Sequence, residues 1–148
     1  GIDIGGSLTK VCVLCNKTEK SIYDFLIEKK IFESVDINTH YLFLTRFLSV
    51  DFEKDILPIL EELNNIEKIT KIEATGGGAY KFGDVMKKVF NIEFIKHDEL
   101  LSLVNGYLFM NAYNSFYEAE QIDSITRIPP EDFSFPHICV NIGSGVVY

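Results

Sequence analysis

Ten residues at the start of the chain, Gly1-Ile2-Asp3-Ile4-Gly5-Gly6-Ser7-Leu8-Thr9-Lys10, bring together a carboxylate, glycines, two hydroxyls and a lysine. Asp3 stands between Ile2 and Ile4 in the pattern of a buried strand. Gly5 and Gly6 lack Cβ atoms, so the backbone can turn tightly there and a ligand can come close to main-chain amides. Ser7, Thr9 and Lys10 add donors. That set suits a phosphate chain and its Mg²⁺. The same residues also fit an ordinary hairpin closed by a Gly-Gly turn.

Two further glycine turns follow strand patterns. Thr75-Gly76-Gly77-Gly78-Ala79 precedes a helical pattern, where unpaired amides at the helix start can face an anion. It fits a flexible strand–helix turn as well, although three consecutive glycines cost conformational entropy and so favour a ligand-facing role. Lys81 lies in the first turn beyond it and reads equally as a surface cation. Gly143-Ser144-Gly145 ends the last apolar run, with Asn141 among Ile138, Val140 and Ile142 in need of polar partners. Three glycine turns at strand ends imply a crevice lined by amides, as at the carboxyl ends of strands in α/β sheets. Asp98-Glu99 opens a helical pattern, either as capping and dipole complement or with Glu99 facing the crevice as general base toward an alcohol.

Other chemistries find little support. His40, His97 and His137 have no metal-ligand spacing, and neither GxxxxGK[ST] nor GxSxG occurs. Cys12 and Cys15 have the gap of a zinc or redox pair, but on one strand they point to opposite faces. With Cys139 they make an odd count, which fits structural cysteines in a reducing compartment.

The elements that must position these groups can be read in order. Residues 1–5 and 7–15 form two strands about the first turn and 17–20 a polar turn; the apolar stretch 22–32, with strand-type residues up to Leu26-Ile27, reads as a third antiparallel strand without a defined end, and 41–47 as another. Residues 51–64 have helical spacing, with Phe52, Ile56, Ile59, Leu60 and Leu63 on one face. Ser49 or Asp51 can cap this helix, and Pro58 either kinks it or marks its start. Residues 68–74 form a strand, 79–90 a helix with Phe82, Val85, Met86 and Val89 inward, and 92–95 a short strand. Residues 98–113 form an apolar, buried helix, 115–136 a loop or insertion and 138–142 a final strand. The expected fold is α/β, with an antiparallel opening and a parallel remainder.

Composition bounds the partners. A 148-residue chain with net charge −8 and 47% hydrophobic residues is a globular domain without the basic surface that nucleic acid or an anionic membrane requires. No apolar run reaches the ~20 residues of a membrane helix. The chain begins inside its first motif and ends on strand-like Val146-Val147-Tyr148, so it reads as a fragment of a larger protein.

Four blocks together resemble the eukaryotic-type (type II) pantothenate kinases. They are residues 1–10, Ala74-Thr75-Gly76-Gly77-Gly78-Ala79-Tyr80-Lys81-Phe82, His97-Asp98-Glu99-Leu100, and Val140-Asn141-Ile142-Gly143-Ser144-Gly145-Val146. Residues 16–66 and 114–136 carry no detailed likeness. The resemblance implies an actin/hexokinase/Hsp70-like (ribonuclease H-like) lobe, a mixed sheet flanked by helices. Residues 1–136 would be the first lobe and 137–148 the first strand of a second. It implies ATP- and Mg²⁺-dependent phosphorylation of pantothenate, the first step of coenzyme A synthesis, with acyl-CoA as feedback inhibitor. A homodimer, or a heteromer with a paralogous subunit, would work in the cytoplasm, with the nucleus and mitochondrion as alternatives.

Carried over residue by residue, Asp3 would position Mg²⁺, and Gly5, Gly6, Ser7 and Lys10 would hold the phosphates. Gly76, Gly77 and Gly78 would form a cleft turn, Glu99 would be the catalytic base, and Ser144, Gly145 and Val146 would hold pantothenate. Val147 stands where the family pattern has a hydroxyl residue. That departure leaves room for a non-catalytic partner subunit of the same fold; a kinase of another small alcohol or sugar is the other alternative. The family's later arginine and adenine-binding turn lie beyond Tyr148, so the fragment alone is expected to be inactive.

Overall fold

The computed structural model describes residues 1–112, 117–121 and 124–127. The chain divides into two compact units, Gly1–Asp98 and Glu99–Tyr148.

In the first unit, a hairpin joins β1 (Ile2–Ile4) to β2 (Leu8–Asn16), with Ile2 opposite Val11 and Ile4 opposite Thr9. The polar turn after β2 is built on Asn16, whose Oδ1 accepts from the Thr18 amide and hydroxyl. The expected third strand is instead helix α1 (Lys20–Lys29). Its β-branched and aromatic residues suggest a strand, but its spacing is helical: Ile22 and Leu26 lie four apart and share one face, and Leu26 is buried. Lys30, in the left-handed region at φ 54°, ends it and donates its amide to the Ile27 carbonyl.

β3 (Glu33–Ile37) and β4 (His40–Leu48) follow as a second hairpin, and β4 pairs with the whole of β2. A 3₁₀ turn (Ser49–Asp51) and a π-helical turn (Phe52–Ile56) lead into α2 (Leu57–Ile66). Pro58 lies in the first turn of α2, where a missing amide costs nothing, and so marks the start of the regular helix. Neither Ser49 nor Asp51 makes a side-chain cap. The anticipated apolar face is real: Phe52, Ile56, Ile59, Leu60 and Leu63 are all buried.

β5 (Lys71–Thr75), α3 (Gly77–Val85), a π-helical turn (Met86–Phe90) and β6 (Glu93–Lys96) complete the unit. The wider turn rotates the helical face, so Val89, expected inward, is 65% exposed while Phe90 packs against the core. The sheet order is β3-β4-β2-β1-β5-β6, antiparallel on the β2 side of β1 and parallel on the β5 side. This is a mixed α/β sheet.

Helices α1, α2 and α3 share one face of that sheet. Ile2, Ile4, Val11, Ala74 and Phe94 meet Phe52, Ile56, Leu60, Ala79, Phe82 and Met86, with Phe52 stacked on Phe82 at 4.1 Å between ring centroids. Cys15 and Phe43 meet Leu26, Ile59 and Leu63. Cys12 and Cys15 do face opposite sides of β2, and only Cys15 is buried.

The second unit holds α4 (Glu99–Ala112) and a hairpin of β7 (Tyr117–Gln121) and β8 (Ser124–Arg127). The hairpin occupies part of the stretch read as loop. The expectation that α4 is well buried is not met: Leu100, Leu101, Leu103, Val104, Leu108 and Phe109 are exposed. The expected strand 138–142 and the turn 143–145 lie outside the described residues.

Candidate functional site

β1 and β5 run parallel and end together, Ile2 beside Ala74 and Asp3 beside Thr75. Each passes directly into a glycine turn, and this register brings the two turns side by side. Asp3 is central to them. Its Oδ2 accepts from Lys10 Nζ at 2.6 Å across the hairpin, while its Oδ1 is buried without a hydrogen-bond partner. A carboxylate oxygen left so is costly unless a donor or cation reaches it.

Gly76 packs against the same oxygen. Its φ of +82° is left-handed, and a Cβ there would stand 2.5 Å from the Ile4 carbonyl oxygen and 2.8 Å from Asp3 Oδ1. Gly78 seats α3 on β1, since a Cβ would fall 2.1 Å from Ile4 Cγ2. Only Gly77 of the three faces open space. Gly76 and Gly78 therefore have a packing reason that the sequence alone did not disclose. α3 opens without a side-chain cap; the Ala79 amide donates to the Gly76 carbonyl at 3.1 Å, which leaves the Gly77 and Gly78 amides to another acceptor.

In the β1–β2 turn the Gly5 amide is spent on the Leu8 carbonyl at 3.0 Å. Gly6 and Ser7 are exposed, and among the described residues their amides have no hydrogen-bond acceptor. The structure thus brings Asp3, Gly5, Gly6, Ser7, Lys10, Gly76, Gly77 and Gly78 to one end of the sheet. Glu99 is the first residue of α4 and exposed, in the second unit. Ser144, Gly145, Val146 and Val147 lie outside the described residues.

Three bonds fasten the exit of β6 beside this end. The His97 amide donates to the Ala74 carbonyl at 2.8 Å, the Thr75 hydroxyl donates to the His97 carbonyl at 3.0 Å, and His97 Nε2 meets Glu73 Oε2. Sequence reasoning assigned no role to Thr75 or His97, and it offered Ser49 only as a helix cap. A cavity of about 490 Å³ lies at the opposite end of β1, among Gly1, Cys12, Leu14, Leu60, Ile69 and Glu73, and none of the anticipated site residues lines it.

The sequence matches the Fumble family over residues 1–148. The chain belongs to the Fumble family. Over 155 residues it is 32% identical to a pantothenate kinase of Schizosaccharomyces pombe, a match covering 98% of this chain and 38% of that protein. Pantothenate kinase 1 of Arabidopsis thaliana is 40% identical over 78 residues, 51% of this chain and 20% of the plant protein. A 4'-phosphopantetheine phosphatase of Mus musculus is 30% identical over 165 residues, 98% of this chain and 20% of the mouse protein. The chain thus spans well under half the length of these relatives. The resemblance read from the four sequence blocks holds: this is a Fumble-family chain of the pantothenate kinase type.

Among the described residues of this Fumble-family chain, no three His, Cys, Asp or Glu side chains cluster to hold a metal ion by themselves. A lone buried carboxylate oxygen beside a glycine cradle still fits Mg²⁺, which is commonly held by one or two carboxylates, water and substrate phosphates.

Proposed function

We propose that the protein carrying this chain transfers the γ-phosphoryl group of ATP to the hydroxyl of pantothenate, and that residues 1–136 belong to its first actin/hexokinase-like lobe. The observation that carries this reading is the partnerless Asp3 Oδ1 at the paired ends of β1 and β5. It sits between two glycine turns, in a chain whose relatives include proteins named pantothenate kinase.

In this reading the exposed Gly6 and Ser7 amides, Lys10 and the first amides of α3 hold the triphosphate. Asp3 would hold Mg²⁺, which when bound neutralises charge on the β- and γ-phosphates. Glu99 accepts the proton of the pantothenate hydroxyl as its oxygen bonds to the γ-phosphorus and the bond to the ADP oxygen breaks. Ser144, Gly145 and Val146 hold the pantothenate chain, and the same turn takes the pantetheine arm of an inhibitory acyl-CoA. The residues needed around adenine would come from a second lobe starting at 137, so the chain by itself is expected to be inactive. The working unit is a dimer, placed in the cytoplasm.

The test is Glu99→Gln in the whole protein, with phosphopantothenate formation and ATP affinity measured side by side. Loss of a general base is expected to lower kcat by about 10²–10⁴, with ATP affinity retained. Turnover at the wild-type rate would remove Glu99 from the mechanism, and a wild-type protein that forms no phosphopantothenate would remove the reaction. A second reading, a non-catalytic subunit, rests on Val147, where the family pattern has a hydroxyl residue, and a stretch 30% identical to this chain lies in a relative named for a phosphatase instead of a kinase. A protein silent alone that raises a partner's turnover would favour it.

A further inference from the structure

We propose that Ser49 is a positioning residue for the phosphate-facing turn, pinning the Gly5 carbonyl so that the Gly6 amide is aimed at the triphosphate. This rests on the ATP reading above, and it adds a residue from a different part of the fold. Ser49 follows β4 and is 44 residues from Gly5 in the chain. Its Oγ donates to the Gly5 carbonyl at 2.7 Å and its amide donates to the Ser7 carbonyl at 2.9 Å. One residue therefore holds two carbonyls of the turn.

The consequence follows from peptide geometry. In a planar trans peptide, the C=O of one residue and the N–H of the next point in opposite directions. Holding the Gly5 oxygen toward Ser49 turns the Gly6 N–H away from it, to the exposed side of the turn. A glycine pair would otherwise let that plane rotate. Ser49 supplies the restraint that the Gly5-Gly6 sequence lacks.

The hydroxyl is not a casual surface contact. Thr9 is fully buried, and its Oγ1 lies 3.0 Å from Ser49 Oγ. Ser49 has one hydroxyl proton, committed to Gly5, so Thr9 is the donor of the second bond. The relay Thr9→Ser49→Gly5 satisfies a buried hydroxyl and fixes the turn at once. Helix capping does not account for it, because neither the 3₁₀ turn nor the π-helical turn after β4 has a side-chain cap.

The test compares Ser49→Ala and Ser49→Thr in the whole protein. The readouts are Mg·ATP affinity, the KM for pantothenate, and, without nucleotide, amide hydrogen exchange at Gly5, whose amide is bonded to the Leu8 carbonyl within the turn. Ser49→Ala is expected to weaken ATP binding by roughly tenfold, the scale of one positioning hydrogen bond. By loosening the turn it should also speed Gly5 exchange and leave the pantothenate KM unchanged, while Ser49→Thr restores both affected readouts. Wild-type ATP affinity and Gly5 exchange in Ser49→Ala would overturn the proposal. If the wild-type protein itself does not bind ATP, the functional reading fails, and unchanged Gly5 exchange in Ser49→Ala then overturns the positioning role independently. Ser49→Cys, which fills the same space with a weak donor, serves if the alanine variant does not fold. Weaker ATP binding is expected there too, and wild-type binding counts against the proposal.

Discussion

Gly77 and Gly78 are adjacent in sequence, yet a methyl group should have opposite effects at the two positions. At Gly78 an added Cβ would lie 2.1 Å from Ile4 Cγ2, 2.7 Å from Ile4 Cβ and 3.0 Å from the Ile4 carbonyl oxygen. Carbon atoms pack best at about 3.5–4.0 Å, so α3 and β1 would have to separate by roughly 1.5 Å against the 2.1 Å contact. Ile4 is 1% exposed at the centre of the sheet and has nowhere to go. Overpacking a tight core costs about 1–3 kcal/mol, and exchanging glycine for alanine in a helix returns at most ~1 kcal/mol. The steric contact is so short that the upper part of the range applies, and a net loss of about 2 kcal/mol is expected for Gly78→Ala. In a unit of this size that lowers Tm on the order of 10 °C. Gly77→Ala meets nothing within 4 Å and should leave stability unchanged or raise it by up to ~1 kcal/mol. Urea unfolding of both variants followed by far-UV circular dichroism measures the difference. A Gly78→Ala variant as stable as Gly77→Ala would mean that α3 is not seated on β1 in this way.

The remaining expectations concern separate features. Asp3→Asn should shift stability by less than ~1 kcal/mol, because the Lys10 partner is well exposed, yet it should abolish Mg²⁺-dependent nucleotide affinity in calorimetry. Unchanged affinity would contradict the role given to Asp3. Phe52→Ala removes a buried ring stacked on Phe82 and should cost about 3–5 kcal/mol, read as a lower urea midpoint; a loss under ~1 kcal/mol would show that the π-helical turn does not anchor the core. Burial pushes the Cys15 thiol up, with Glu19 and Glu67 adding to it. The unfolded thiol then ionises first, so the stability this thiol contributes is present below pH ~8.5 and lost as pH rises through the folded value. Cys15→Ala should flatten the alkaline decline of stability, and peptide mapping should find Cys15 alkylated far more slowly in the folded chain than in urea.

The parts of the fold legible in the sequence were those where one physical signal acted alone. The Phe52–Leu63 spacing had a single helical face, and that face is buried as read. The Gly5-Gly6 break between two apolar runs became the β1–β2 hairpin. Legibility failed where two signals conflicted. Residues 22–27 carry strand-type residues at helical spacing, and spacing won because only a helix puts Leu26 among Phe43, Ile59 and Leu63 while the polar residues remain outside. Val89 was misplaced for a different reason: a π-helical turn changes the period within the helix, and no composition rule announces where that begins.

At the candidate site, the sequence disclosed residue types but not the reasons for them. Three glycines in a row suggested room for a ligand, and the coordinates separate that into two requirements. Gly76 and Gly78 are bare because Ile4 and Asp3 occupy the space their side chains would take, and only Gly77 stands open. These requirements do not compete. Bare positions at 76 and 78 let the start of α3 close onto the end of β1, beside the buried and partnerless Asp3 Oδ1. Ser49 reads in sequence only as a helix cap because its partners are set by the β2–β4 register, Leu8 opposite Leu48, which places the residue after β4 behind the glycine turn. A serine's role of that kind depends on strand pairing across more than forty residues, and no local motif carries it. The residues that hold the backbone of a glycine turn in place are thus the least visible part of such a site in sequence, although the direction of each amide depends on them.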